Sequence, residues 1–231
     1  MPGQFRGDKS PSTIGRQCAV NGYPLMLVDL ANTRCVVVGG GEVAARKVAA
    51  LRQAGARPAV ISPTLCETLV RQVENGEIDA IPRQYQAGDL TGARLVIAAT
   101  DDAATNEAVW REAQDAGCLV NVVDDPSRCN FYVPATVRRG ALTLSVSTSG
   151  NSPLLARRIR ERLEQQFDLA YEPYLELLGE LRPRVQKQVA EPDRRKALWE
   201  SLLDSHILDL LRAGQLGAAR QRAEEIVETY R

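Results

Sequence analysis

The sequence predicts an α/β fold built on a parallel sheet, and three observations carry the prediction. Cys35-Val36-Val37-Val38 runs apolar with no polar alternation, the pattern of a strand buried on both faces of a parallel sheet. That run breaks into Gly39-Gly40-Gly41 and then reads as a helix from Glu42 to about Ala54. Two more runs of the same kind, Leu95 to Thr100 and Leu119 to Val123, flank another helical stretch, so buried strands alternate with helices.

Composition sets the bounds. A chain of 231 residues has room for one large or two small domains, so a second architecture can stand beside the sheet. Lys+Arg and Asp+Glu both number 29, which removes any general attraction to nucleic acid or to an acidic membrane surface; neither partner is expected, and any basic site must be local. No stretch approaches the length of a membrane span, and the first twenty residues lack the apolar centre of a signal peptide. The five cysteines, Cys18, Cys35, Cys66, Cys118 and Cys129, are an odd set without a C-x-x-C spacing. They read as small buried hydrophobes of a reducing compartment, not as a disulfide framework or zinc site, so a cytoplasmic protein without a dedicated metal site is expected.

The glycine turn carries the first functional signal. Gly39 permits a tight turn, Gly41 lets backbone N–H groups approach a pyrophosphate, and Ala44 is small where helix and strand must pack closely. A helix starting at Glu42 aims its positive dipole end and unpaired N–H groups at the phosphates. Glycines at a strand end are often only a turn, but this G-x-G-x-x-A follows a strand, opens a helix and sits in a βαβ-length unit, which predicts a dinucleotide site.

The remaining elements follow in order. Residues 1 to about 20 mix Gly, Pro, Ser and charge without periodicity, as a disordered extension does. Tyr23 to Leu30 is expected as an added strand or edge segment, and Ala31 to Arg34 as the turn into the glycine strand. Gly55 is a C′ cap and Pro58 to Ser62 the second strand. An NAD site of the usual kind ends that strand with Asp or Glu; here Ser62, Pro63 and Thr64 stand instead, and the choice between NAD and NADP stays open on these residues. A hydroxyl of Ser62 or Thr64 is the available ribose partner. A helix is expected from about Pro63 to Asn75 and a short strand near Ile78 to Ile81. Ala99 and Thr100, at the end of the next strand, are expected to line the cofactor crevice, with Asp101-Asp102 capping the helix Ala103 to Ala116. The strand Leu119 to Val123 ends at Asp124-Asp125-Pro126, where one aspartate turns or caps the chain and the other is free.

Beyond that point the pattern changes. Phe131 to Pro134 and Ala141 to Ser147 read as two strands joined through Val137 to Gly140, the second with one apolar and one polar face. Such a hairpin needs a cover, and a subunit partner is a candidate. Thr148 to Pro153 is a polar turn, with Ser152 as N-cap and Pro153 at the first position of a helix reaching Phe167. Its arginines form either a solvated face or an anion site. Segments 171 to 189, 193 to 213 and 215 to 230 read as amphipathic helices with Gly214 and Gly217 as breaks, and His206, the one histidine, as a packed helix residue rather than a ligand.

Four motifs recur here in a familiar order: Val38-Gly39-Gly40-Gly41-Glu42-Val43-Ala44 with Arg46-Lys47, Ala98-Ala99-Thr100-Asp101-Asp102, Asn121-Val122-Val123-Asp124, and Ser147-Thr148-Ser149-Gly150-Asn151-Ser152-Pro153 with Leu155-Ala156-Arg157. Together they resemble the precorrin-2 dehydrogenase/sirohydrochlorin ferrochelatase family of sirohaem synthesis, including the N-terminal half of fused sirohaem synthases. The likeness is strong from about Tyr23 to Leu163 and looser in the helical tail, and no methyltransferase portion follows, as in the stand-alone form. The resemblance implies an NAD-binding Rossmann domain over residues 21–133, a dimerisation segment over 134–166 and a helical domain over 167–231, in a homodimer. It also implies oxidation of precorrin-2 to sirohydrochlorin with NAD⁺, and in some members insertion of Fe²⁺.

The family's essential aspartate falls on Asp124, and its NAD contacts on Glu42, Val43, Pro63 and Thr64, which suggests how the missing acid is bypassed. A tetrapyrrole rich in carboxylates calls for guanidinium partners, for which Arg138, Arg139, Arg157 and Arg158 are candidates. Ser147, Thr148, Ser149 and Asn151, in the loop the family places by the tetrapyrrole, add hydrogen-bond donors; Thr148 holds a position that is serine in some relatives. The competing expectation is an NAD-sensing binding module without catalysis, which needs no free carboxylate.

Overall fold

We describe residues 22–231 of a computed structural model of the chain. The extension expected over residues 1–20, and Cys18 with it, lie outside the described residues. The chain divides into two compact units, one ending at Val133 and one running from Pro134 to Arg231.

The first unit is a sheet of five parallel strands with helices on both faces. β1 (Cys35–Val38) leads into α1 (Glu42–Gln53), β2 (Ala59–Ile61) into α2 (Glu67–Glu74), and β3 (Asp79–Ile81) into β4 (Leu95–Ala98). α3 (Ala103–Asp115) and β5 (Leu119–Val122) complete the unit, and the strand order is β3-β2-β1-β4-β5. β1 is central because it is apolar throughout: Cys35 and Val37 pack on one face with Val60, Leu95, Ile97 and the Ala44, Val48 and Leu51 side of α1. Val36 and Val38 pack on the other with Ile61, Val96, Val120 and the Val109 and Ala113 side of α3. Each fully buried valine is worth about 1.5–3 kcal/mol of apolar transfer, and only strands covered on both faces collect it without alternation.

Several local expectations give way to tertiary constraints. Residues 22–29 form no strand, and Tyr23, Leu25, Met26 and Val28 are exposed. α2 starts at Glu67 rather than near Pro63, because the Cys66 N–H donates to the Gly40 carbonyl (2.7 Å) and Ser62 Oγ to the Thr64 carbonyl (2.7 Å), which holds residues 62–66 as a loop.

The second unit opens with an antiparallel hairpin, β6 (Ala135–Arg139) and β7 (Leu142–Val146). Its first strand lies later than Phe131 to Pro134, since the Phe131 carbonyl is taken by Asn121 Nδ2 at 3.1 Å. The reversal falls at Gly140, whose φ of +54° suits glycine. α4 (Pro153–Gln166) lies against both strands, so a helix of the same chain supplies cover for the hairpin. α5 (Tyr171–Gln188), α6 (Pro192–Leu203), α7 (Ile207–Arg212) and α8 (Leu216–Thr229) enclose a core of Leu177, Leu181, Val185, Leu198, Leu202, Ile207 and Val227. The expected helix over 193–213 is two helices broken at Asp204 to His206; Gly217 lies inside α8, and His206 is exposed at the start of α7. No helix among the described residues is long and apolar enough to cross a membrane.

Candidate active site

Because the strands of the five-stranded sheet run parallel, the loops after β1, β2, β4 and β5 emerge at one edge, where ligands of open α/β sheets bind. A crevice of about 570 Å³ opens there. Gly39, Gly41, Glu42, Val43, Ser62, Pro63, Thr64, Ala99 and Thr100, the nine residues expected at a cofactor, all line it.

The three glycines serve different ends. Gly39 has φ +124°, and a Cβ on it would stand 2.2 Å from the Ala99 carbonyl oxygen. A Cβ on Gly40 would stand 1.9 Å from the Thr64 carbonyl oxygen. These two positions clamp the turn between the loops after β2 and β4. At Gly41 nothing lies within 4 Å of the Cβ position. Gly41 is the N-cap of α1 and no side chain caps that helix, so unpaired N–H groups and the positive dipole end meet open space lined by Glu42 and Val43. This cradle fits a dinucleotide pyrophosphate.

The hydroxyls around the crevice divide into spent and free. Ser62 is buried and gives its proton to the Thr64 carbonyl, so it shapes the loop, and exposed Thr64 is the hydroxyl left for a ribose. Thr100 donates to Asn106 Oδ1 (2.9 Å) and receives the Asp102 N–H (3.2 Å). Asp102 caps α3, accepting from the Ala104 and Thr105 N–H groups; the Thr105 hydroxyl, then these backbone bonds, hold its carboxyl below the usual carboxylate range.

Sequence reasoning missed Gly40, Cys66, Gln84 and Tyr85, which also line the crevice. Gly40 occupies an unspecified place of the fingerprint, and the run of three glycines was its only signal. Gln84 and Tyr85 arrive from the loop after β3 and carry no local mark. The Tyr85 hydroxyl is held by the Glu112 carboxylate, which also accepts from the Gly88 (3.0 Å) and Leu90 (2.9 Å) N–H groups. Burial, then this bond, push the Tyr85 phenol far above its ordinary value.

The end of β5 presents Asp124. Its backbone is left-handed, φ +60°, a conformation that Asp tolerates better than most residues. The side chain is exposed, and among the described residues no hydrogen bond or ion pair engages the carboxylate. Lys47 of α1 lies within its electrostatic reach: burial, then Arg46, lower the Lys47 pKa, while Cys129 and Asp124 oppose the fall. Asp125 takes the turning role, accepting from the Ser127 N–H at 3.1 Å. Bonds from the Ser127 hydroxyl, then from Arg128, hold the Asp125 carboxyl low. Among the described residues no group of three or more His, Cys, Asp or Glu is arranged to hold a metal ion.

The other expected site residues belong to the second unit. In the loop between β7 and α4, Ser147 Oγ accepts from the Ser149 N–H (3.1 Å) and Thr148 Oγ1 from the Ser152 N–H (3.2 Å), so both hydroxyls keep a proton to donate. Asn151 Nδ2 donates to the Thr148 carbonyl (2.9 Å), and Ser149 has φ +52°. The Arg139 guanidinium donates to the carbonyls of Phe167 (2.8 Å), Arg138 (2.8 Å) and Glu164 (3.1 Å), closing the end of α4. Arg157 pairs with Glu161 at 2.9 Å, Arg138 is exposed on β6, and Arg158 is exposed with no ion pair among the described residues.

A parallel sheet with a glycine-turn crevice, followed by a helical second unit, defines a Rossmann-type nucleotide-binding protein. Comparison with known families narrows the class. Residues 26–135 match the family described as putative NAD(P)-binding, 139–166 the sirohaem biosynthesis protein central region, and 170–226 the sirohaem synthase dimerisation region. The dimerisation description attaches to 170–226, whereas the expectation above put dimerisation in 134–166. A solved structure, SirC, precorrin-2 dehydrogenase, is 30% identical with a TM-score of 0.72, covering 88% of this chain and 100% of its own. The sirohaem synthase of Methylobacillus flagellatus is 39% identical over 202 residues, and that of Nitrosospira multiformis 39% over 213. These matches cover 87% and 90% of this chain but 43% and 45% of the relatives, so the chain spans less than half the length of those curated proteins. The chain belongs to the precorrin-2 dehydrogenase and sirohaem synthase family.

Proposed function

We propose that this chain oxidises precorrin-2 to sirohydrochlorin with NAD⁺ in sirohaem synthesis, as a cytoplasmic homodimer, and that Asp124 is its proton-accepting group. The observation that carries the reading is a pairing on one sheet edge: the crevice over the glycine turn and, at the end of β5, an exposed carboxylate that no hydrogen bond or ion pair engages among the described residues. A sensing module has no need of the second feature.

The α1 N–H groups at Glu42 and Val43 hold the pyrophosphate, the Gly39 and Gly40 backbone fixes the turn beneath it, and Thr64 serves a ribose hydroxyl. NAD⁺ bound there supplies the acceptor for the hydride removed from the substrate. Asp124 takes the proton lost with it, which an exposed carboxylate at a sheet edge is free to do. Arg138, Arg157 and Arg158, with the hydroxyls of Ser147, Thr148 and Ser149 and the Asn151 amide, bind the substrate carboxylates through charge-assisted bonds. Insertion of Fe²⁺ requires removal of pyrrole protons, a task the same carboxylate suits.

Anaerobic incubation with precorrin-2 and NAD⁺, followed by absorbance, tests the reading. Asp124→Ala is expected to lose about 10²- to 10⁴-fold in turnover and to keep NAD⁺ binding. Full turnover in that variant removes the role of Asp124, and an unreactive parent chain moves the reading to an NAD-responsive binding module. Adding Fe²⁺ to the product without another chelatase, and finding accelerated insertion, adds the second activity.

A further inference from the structure

The charges behind Asp124 form one connected series. Asp125 caps the turn Pro126–Arg128 and pairs with the Arg128 guanidinium. Arg128 also pairs with Glu107 of α3, and its guanidinium lies over Trp110, 5.9 Å from the ring centroid. Glu107 in turn receives Arg111 Nε at 2.8 Å. Further along, Cys129 Sγ reaches the carbonyls of Val122 (3.3 Å) and Asp125 (3.2 Å), and Asn130 bonds the Val120 N–H (2.7 Å) and the Cys118 carbonyl (2.8 Å). Those bonds tie the loop back to β5, and among the described residues only Arg128 joins it to α3 by an ion pair. Arg128 also neutralises the one carboxylate adjacent in sequence to Asp124.

We propose that Arg128 is a positioning residue for Asp124: it fastens the loop after β5 to α3 and holds Asp125 in the turn, so that Asp124 keeps its place at the end of β5. This rests on the functional reading above. Lys47 of α1 lies within electrostatic reach of Asp124 and Cys129, and Arg128 pairs with Asp125 next in sequence. A shift of about 1 Å in a reacting group can cost about a hundredfold in rate, so anchoring this loop has a kinetic consequence without any contact between Arg128 and substrate.

Steady-state kinetics of precorrin-2 oxidation, with NAD⁺ titrations and thermal unfolding on the same preparations, test the assignment. Arg128→Met is expected to lower kcat roughly ten- to a hundredfold with NAD⁺ affinity unchanged. Arg128→Lys recovers part of kcat through a single ion pair. Glu107→Gln frees the α3 anchor but leaves Arg128 on Asp125, and kcat falls there too with NAD⁺ affinity kept. Parental kcat in Arg128→Met or Glu107→Gln overturns the proposal. If Arg128→Met fails to fold, Glu107→Gln decides alone. A parent chain that does not oxidise precorrin-2, or a fully active Asp124→Ala, overturns the functional reading and this role with it.

Discussion

The crevice of the first unit and the polar loop of the second are built from different materials. Around the crevice the decisive atoms are backbone: Gly39 and Gly40 are pressed against the carbonyls of Ala99 and Thr64, and uncapped N–H groups of α1 supply the binding potential. The β7–α4 loop works through side chains, with Ser147, Thr148 and Asn151 bonding the loop's own backbone. A backbone site inherits the rigidity of the sheet and admits almost no substitution at the crowded glycines. A side-chain site can change residue by residue while its support survives.

The largest effect should come from placing one methyl group at Gly40. Gly40→Ala sets a Cβ 1.9 Å from the Thr64 carbonyl oxygen, and backbone on both sides leaves no rotamer to yield. Overpacking of this kind costs about 3 kcal/mol, and the displaced turn should lose NAD⁺ binding altogether. Gly41→Ala, where nothing lies within 4 Å, is the contrast: unfolding by denaturant should change by about 1 kcal/mol at most, the loss of a Gly N-cap to Ala. NAD⁺ affinity should nonetheless fall, because the methyl group enters the space where the pyrophosphate approaches. Equal stability losses in the two variants, measured with calorimetric NAD⁺ titrations, would break the distinction between a clamping and a ligand-facing glycine.

What the sequence revealed divides along the same line. β1, β4 and β5 were legible because strands buried on both faces read as apolar runs, and the caps Asp102 and Ser152 because capping is chemistry between close neighbours. Gly39 and Gly41 carry a fingerprint, whereas Gly40 is fixed by Thr64, 24 positions away, and is silent until β2 is paired with β1. Gln84 and Tyr85 reach the crevice from the loop after edge strand β3. The late start of α2 follows from a bond to Gly40, and the late start of β6 from one to Asn121. Arg139 and Arg158 look alike in sequence, and only the carbonyls at the end of α4 tell them apart.

Those two arginines sharpen the comparison inside the second unit at an intermediate scale. Half-buried Arg139 donates to three carbonyls, and Arg139→Met should lower the unfolding free energy by about 2 kcal/mol through the loss of charge-assisted bonds. Arg158→Met removes an exposed guanidinium with no ion pair among the described residues and should leave unfolding within about 0.5 kcal/mol of the parent. If it contacts a substrate carboxylate, KM for precorrin-2 should rise about tenfold, the loss of one charge-assisted contact. The reverse pattern, with stability following Arg158 and KM following Arg139, would exchange their roles.

The smallest effect probes a side-chain device within the backbone-built unit. Asp89 receives Arg83 NH1 (2.8 Å) and NH2 (2.7 Å) together with the Gln86 N–H (2.8 Å), and so closes the loop that brings Gln84 and Tyr85 to the crevice. The bond from Arg83 leads in holding the Asp89 carboxyl below its ordinary range. A carboxyl depressed in the folded state adds stability that is present above its unfolded pKa, about 3.9, and is lost as pH falls through the folded value. Arg83 is 39% exposed, so solvent discounts the pair, and Asp89→Asn should cost about 1 kcal/mol at neutral pH. The gap from the parent should narrow as the pH is lowered below about 4, because protonation of Asp89 does in the parent what the substitution does in the variant. A gap that stays constant down to pH 2.5 would mean that the amide fails in shape rather than in charge, and that the loop is held by its backbone bonds as the glycine turn is.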